Sequence, residues 1–187
     1  MIVNLIAFQG PSGSGKSTLQ GYLDIPRILT WTSRPKRYGE IEGRDYYFTS
    51  KENMIRMFKS NELLEMTKYK DNYYGTPLSS IQTLANGYEL KSIIVDFEGA
   101  KKLKELLGNK LLLIGVAATF EECKERLLYR NSSSEELEQR LLTYKLEMDS
   151  LYHCDIIIRN SGENHYKSKL IIQSLKKGLV GEDGSLR

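Results

Sequence analysis

Five short runs of the chain, VNLIAF, RILTWT, SIIVDF, LLLIGVAA and DIIIRN, read as strands, and several are apolar at nearly every position. A strand with one wet face alternates apolar and polar residues. An uninterrupted apolar strand is buried on both faces, the condition of a parallel sheet held between helices. Helix-period patterns lie between most of the runs: KSTLQGYL, GAKKLKELL, FEECKERLLYR and SEELEQRLLTYKLEMDSLY. A further one, NHYKSKLIIQSLKKG, follows the last. This alternation predicts an α/β fold around a parallel sheet of five strands, joined by right-handed crossovers.

The rhythm breaks between about Arg34 and Gly87. RDYYFTS and ELLEMTKYKDNYYG have strand character with a turn at KDN, KENMIRMFKS has helix character, and the stretch is rich in tyrosine. Residues 34–87 are therefore expected to form a small α+β insertion projecting over a core built from 1–33 and 88–187. A chain of 187 residues is long enough for one such domain and its insertion.

The first apolar run opens onto GPSGSGKST, that is Gly10, Pro11, Ser12, Gly13, Ser14, Gly15, Lys16, Ser17 and Thr18. Gly10, four residues, then Gly15-Lys16-Ser17 is the spacing of the phosphate-binding P-loop. Glycines let successive amides curl inward around an anion, and the helix starting near Lys16 adds its positive end. Lys16 is placed to reach β- and γ-phosphate oxygens, and the Ser17 hydroxyl to ligate Mg²⁺.

The insertion carries the chemistry of an acceptor. Arg34 and Arg37 put two guanidinium forks three residues apart, a spacing suited to a phosphate dianion. Tyr46 and Tyr74 can each add a phenolic donor. Glu65 interrupts the apolar segment LLEM, where a carboxylate can accept from guanine N1–H and from the exocyclic 2-amino group. Adenine offers neither donor in that arrangement and would leave the carboxylate unpaired. Read singly, the arginines also fit a salt-bridged surface, and the tyrosines a small aromatic core, to which Tyr47, Tyr69 and Tyr73 are assigned.

SRPKRYGEIEGRDYYF and NELLEMTKYKDNYYGTP, together with the P-loop and VDFEGA, resemble the guanylate kinases from about Leu5 to Asn160. The resemblance implies a P-loop NTPase three-layer fold with a nucleotide-monophosphate-binding insertion and a helical lid at about 126–142. It implies ATP and GMP or dGMP as substrates, Mg²⁺ as cofactor, and Lys16, Arg34, Arg130 and Arg140 as catalytic cations. Arg126 and Asn160 join the P-loop in holding ATP. Thr30, Arg34, Arg37, Tyr46, Glu65, Tyr74, Gly75, Thr76 and Asp96 hold the acceptor. SSSEE offers an N-cap at capping-box spacing after Arg130. Arg126 also has Glu122 at i,i+4 spacing.

The chain departs from the family pattern in three places. Ile94 stands where an aspartate usually precedes Asp96, so Asp96 is open to a role in base contact, in magnesium's second shell, or in both. The first helix is short, with TLQGYLDIP alone separating the P-loop from the second strand. Ala117 and Ala118 replace prolines before the lid helix. The phosphate-binding set would equally serve a kinase acting on another phosphate-bearing acceptor. Related domains in scaffolding proteins bind peptides without catalysis, though typically with damaged P-loops.

Net charge is +3, which calls for neither nucleic acid nor membrane. The basic run KKLKELLGNK lacks aromatic platforms and reads as a solvated helix face. Cys123 and Cys154 are read as free thiols in a reducing compartment. His153 and His165 have no partner at metal-ligand spacing. The first apolar run is too short for a signal peptide, and a cytoplasmic protein is expected.

Overall fold

A computed structural model describes residues 3–69, 71–87, 89–129, 137–138, 141–162 and 164–180. The first elements are β1 (Leu5–Gln9), α1 (Lys16–Leu23), β2 (Trp31–Thr32), β3 (Tyr47–Phe48), α2 (Lys51–Lys59), β4 (Leu63–Tyr69), β5 (Asn72–Pro77) and α3 (Leu78–Asn86). There follow β6 (Lys91–Ile94), α4 (Phe97–Leu107), β7 (Leu111–Ala117), α5 (Phe120–Tyr129), α6 (Tyr144–Ser150), β8 (Ile156–Arg159) and α7 (His165–Leu179).

The main sheet is parallel, in the order β6-β1-β7-β8. Every residue of β1 is buried, as its unbroken apolar run requires. Side chains alternate across a strand. Leu5 and Ala7 thus join Ile81 and Leu84 of α3 and Leu103 and Leu107 of α4 on one side of the sheet. Ile6 and Phe8 join Leu19 and Leu23 of α1 and Ile172 of α7 on the other. The result is helix, sheet, helix.

The described sheet has four strands where five were expected. The second run, RILTWT, keeps one rung beside β6: the Ile28 amide donates to the Ser92 carbonyl, and the Ser92 amide to the Pro26 carbonyl, each at 2.9 Å. It then turns away, because Trp31–Thr32 is claimed by a second sheet of order β3-β2-β5-β4. There Thr32 is fully buried opposite Tyr74, and Trp31 packs on Tyr47 with ring centroids 4.9 Å apart.

β4 and β5 form an antiparallel hairpin, and α2 covers it by packing Met54 and Met57 on Leu63. Ser50 caps α2, its hydroxyl accepting from the Asn53 amide at 3.1 Å. α3 was not anticipated. It begins directly at the end of β5 with no linker to announce it, although Ile81 and Leu84 keep a three-residue apolar spacing. Among the described residues no helix is long and apolar enough to cross a membrane.

Candidate active site

β1 ends at the carboxyl edge of the sheet, between β6 and β7, and the chain turns there through residues 10–15 into α1. This is the crevice where open α/β sheets bind ligands. Gly10 (φ +141°) and Gly15 (φ +98°) hold conformations that disfavour side chains. A Cβ on Gly10 would stand 2.3 Å from the Val116 carbonyl oxygen, and one on Gly15 2.1 Å from Asn160 Nδ2. The backbone of the loop therefore runs where no other residue fits. Gly10→Ala is expected to cost about 2 kcal/mol or more in urea unfolding, since backbone meets backbone there. An unchanged midpoint would contradict this packing.

No side chain caps α1 and no acid lies in its first turn, so its positive end is left to the loop. Lys16 folds back over the loop, Nζ donating to the Gly10 carbonyl at 2.5 Å and to the Pro11 carbonyl at 2.9 Å. Glu147 of α6 reaches the loop from above and accepts from the Ser12 amide at 3.1 Å. Burial raises the Glu147 pKa, and the Lys16 charge opposes that rise.

Behind the loop, Arg126 donates to the carbonyls of Gly13 (3.2 Å), Ser14 (3.3 Å) and Asn160 (2.8 Å). Asn160 Nδ2 also donates to the Ser14 carbonyl at 2.8 Å. On its other side Asn160 Oδ1 contacts His165, and His165 contacts the Tyr22 hydroxyl at 2.9 Å. Arg126 and Asn160 thus brace the loop from outside the cavity. Arg130 and Arg140, like the SSSEE cap, lie outside the described residues.

One cavity of about 520 Å³ extends from the loop to the second sheet. Gly10, Ser12, Lys16 and Ser17 line its near end. All nine residues expected to hold the acceptor line the rest: Thr30, Arg34, Arg37, Tyr46, Glu65, Tyr74, Gly75, Thr76 and Asp96. Pro11, Gly13, Ser14, Gly15 and Thr18 complete the loop and its first helical turn.

Arg34 is nearly buried and pairs with Glu40 at 2.7 Å, and its guanidinium lies over the rings of Tyr46 and Phe48. The other Glu40 oxygen accepts from the Arg37 amide at 2.8 Å. One carboxylate therefore fixes both arginine positions, and the Arg34 hydrogen bond holds Glu40 below its ordinary pKa. Tyr46 and Tyr74 meet edge to face at 6.3 Å, and burial, with the neighbouring Tyr74, raises the Tyr46 pKa.

On the β4–β5 hairpin Glu65 Oε1 accepts from the Thr76 hydroxyl at 2.6 Å. The two residues are opposite one another across β4 and β5. Burial raises the Glu65 pKa, the Asp96 charge adds to it, and hydrogen bonds from Thr76 and Thr67 work against it. Asp96 caps α4, Oδ1 accepting from the Gly99 amide at 2.8 Å, while Oδ2 accepts from Thr67 at 2.5 Å. Ile94 also lines this cavity, and its apolar side chain leaves Asp96 as the carboxylate at the end of β6.

Glu40, Thr67 and Glu147 are site residues that sequence reading passed over. Two had local signals. Glu40 follows Arg34 and Arg37 at six and three residues, and Thr67 follows Glu65 by two on one face of a strand. Glu147 had none, for its partner Ser12 is 135 residues away.

A profile described as Guanylate kinase matches residues 3–172. A guanylate kinase of Helicobacter pylori (strain ATCC 700392 / 26695) is 36% identical over 183 residues, 95% of this chain and 88% of that protein. One of Oceanobacillus iheyensis is 32% identical over 179 residues, 91% of this chain and 86% of that protein. Guanylate kinase 2, chloroplastic/mitochondrial, of Oryza sativa subsp. japonica is 35% identical over 168 residues, and the chain spans 59% of its length. The crystal structure of guanylate kinase from Anaplasma phagocytophilum superposes with a TM-score of 0.71 at 24% identity. It covers 94% of this chain and 85% of that one, a likeness of fold.

Proposed function

We infer that this chain, which belongs to the guanylate kinase family, transfers the γ-phosphoryl group of ATP to the phosphate of a guanine mononucleotide, GMP or dGMP. The observation that carries this reading is the set of chemistries gathered in one cavity. Loop residues, guanidinium and phenol donors and a carboxylate pair line it together. Those are the groups that a triphosphate, an acceptor phosphate and a guanine edge would call for.

The acceptor is already an oxyanion, so no side chain need remove a proton. Catalysis rests on alignment and on neutralising charge as it spreads over the transferring group. Lys16 swings from the Gly10 and Pro11 carbonyls to the triphosphate, while Arg34, Arg37, Tyr46 and Tyr74 hold the acceptor phosphate. Sequence assigns Arg130 and Arg140 to the charge between them, and a covered site keeps water from taking the phosphoryl group. Arg126 and Asn160 act on the donor side by tying back the Gly13 and Ser14 carbonyls, so that amides face the phosphates. Acceptor recognition is assigned to residues 34–87, rooted on Trp31–Thr32, and donor binding to 1–33 and 88–187.

The residues present fit a magnesium ion brought in on the triphosphate. Ser17 offers a hard hydroxyl oxygen on the cavity wall, and among the described residues no three carboxylate, thiol or imidazole groups assemble a metal site of their own. When bound, magnesium would draw charge from the β- and γ-phosphates. Ser17 would hold it, with Asp96 within its water shell.

The test is an ADP-release assay with Mg·ATP and GMP, dGMP, AMP, CMP, UMP or ribose 5-phosphate as acceptor. Turnover confined to GMP and dGMP is the expected result. Turnover with another acceptor, or with none, would overturn this reading.

A further inference from the structure

Glu65 and Thr67 are separated by one residue on β4, and Thr76 and Tyr74 stand opposite them on β5. A strand's side chains repeat every two residues, so all four belong to one face of the hairpin, and all four line the cavity. Thr67 therefore has its place among the acceptor groups through strand register alone.

Its hydrogen bonding is unusual. The Thr67 hydroxyl lies 2.5 Å from Asp96 Oδ2 and 3.3 Å from Glu65 Oε2. A hydroxyl has one hydrogen and two acceptor lone pairs. The shorter contact takes the larger share of that hydrogen, which reaches Glu65 only weakly, and the Gly99 amide holds the other Asp96 oxygen at 2.8 Å. Glu65 Oε1 is meanwhile occupied by Thr76. Glu65 Oε2, with only that long contact, and Thr67 Oγ1, with its lone pairs, thus stand side by side on the cavity wall with acceptor capacity to spare. A seat of that kind is completed by an N–H donor from a ligand.

The geometry points to Thr67 as a specificity-determining residue that reads the exocyclic 2-amino group of the purine together with Glu65. This rests on the guanine reading above and narrows it. Glu65 alone accounts for recognition of N1–H, which hypoxanthine shares with guanine. Thr67, held by Asp96, adds to Glu65 a further acceptor that only a purine with a 2-amino group can use. Asp96, tied at both oxygens, positions the Thr67 hydroxyl by accepting its hydrogen.

The experiment compares kcat/KM for GMP and for IMP, the same nucleotide without the 2-amino group, in the unaltered chain, Thr67→Val and Thr67→Ser. Thr67→Val keeps the shape and removes the hydroxyl. It is expected to lower kcat/KM for GMP by about tenfold, mainly through KM, the effect of one lost hydrogen bond. IMP should shift by no more than about twofold, and Thr67→Ser should restore the GMP to IMP ratio. An equal fall for both nucleotides in Thr67→Val, or an unchanged ratio, would overturn the assignment while the guanine reading stands. An unaltered chain inert toward both GMP and IMP would overturn the two together.

Discussion

Lys16→Met is expected to lower turnover by about 10²–10³-fold with the fold intact, the scale seen when one preorganised charge-stabilising donor is removed. Methionine matches the aliphatic stem of lysine and fills much of the same space, so the loss isolates the ammonium group. In the structure Nζ rests on the Gly10 and Pro11 carbonyls. Those bonds belong to the loop itself, and their loss should move the thermal midpoint only slightly. The large effect belongs to the transfer step, where negative charge is held between two phosphates in a site that screens poorly. The measurement is steady-state turnover with saturating GMP, beside a thermal melt. Turnover within about tenfold of the unaltered chain would remove Lys16 from the catalytic set.

Glu65→Gln should act on the acceptor and leave ATP alone. Glutamine presents one acceptor and one donor where guanine needs two acceptors, so a donor faces a donor. KM for GMP is expected to rise by about 10²-fold, the scale of a hydrogen bond to a charged group, while KM for ATP stays near its original value. The same group predicts a pH dependence. Burial and the Asp96 charge raise the Glu65 pKa, and recognition of N1–H needs the deprotonated form. GMP affinity therefore weakens as pH falls, beginning above the ordinary glutamate range, with no matching change for ATP. Stability runs the opposite way. With the folded pKa raised, the contribution of Glu65 to folding is greatest at low pH and is lost as pH rises through that pKa. Glu65→Gln should thus bind GMP poorly and yet melt no lower at neutral pH. Unchanged GMP kinetics would sink the assignment of Glu65 to the base.

Much of this was legible because it is local. Residues 10–18 spell their own backbone path, since only glycine tolerates the conformation at Gly10 and Gly15. The unbroken apolar run of β1 reveals a strand covered on both faces, while the equally apolar β8 leaves Ile157 exposed, and Met54 and Met57 sit at helical spacing above Leu63. Arg34, Arg37, Tyr46 and Glu65 are conspicuous because charged and phenolic groups break apolar patterns. What stayed hidden depends on distant partners. RILTWT has the composition of a core strand, and only the pull of Tyr47 and Tyr74 on Trp31 and Thr32 takes it to the other sheet. Arg126 is assigned to ATP by resemblance, and its contacts with the carbonyls of the loop and of Asn160 involve residues far along the chain. Glu147 is one acid among several on its segment until the fold delivers it to Ser12.

That last contact changes what a binding constant for the triphosphate would report. The Ser12 amide is already engaged by an anion of the chain's own, and Lys16 stands nearby in electrostatic contact with it. A phosphate arriving at this amide trades places with a carboxylate rather than meeting a bare donor. The observed affinity is then the difference between two anions competing for one seat, and the cradle's intrinsic strength exceeds it by whatever the displaced glutamate was worth there.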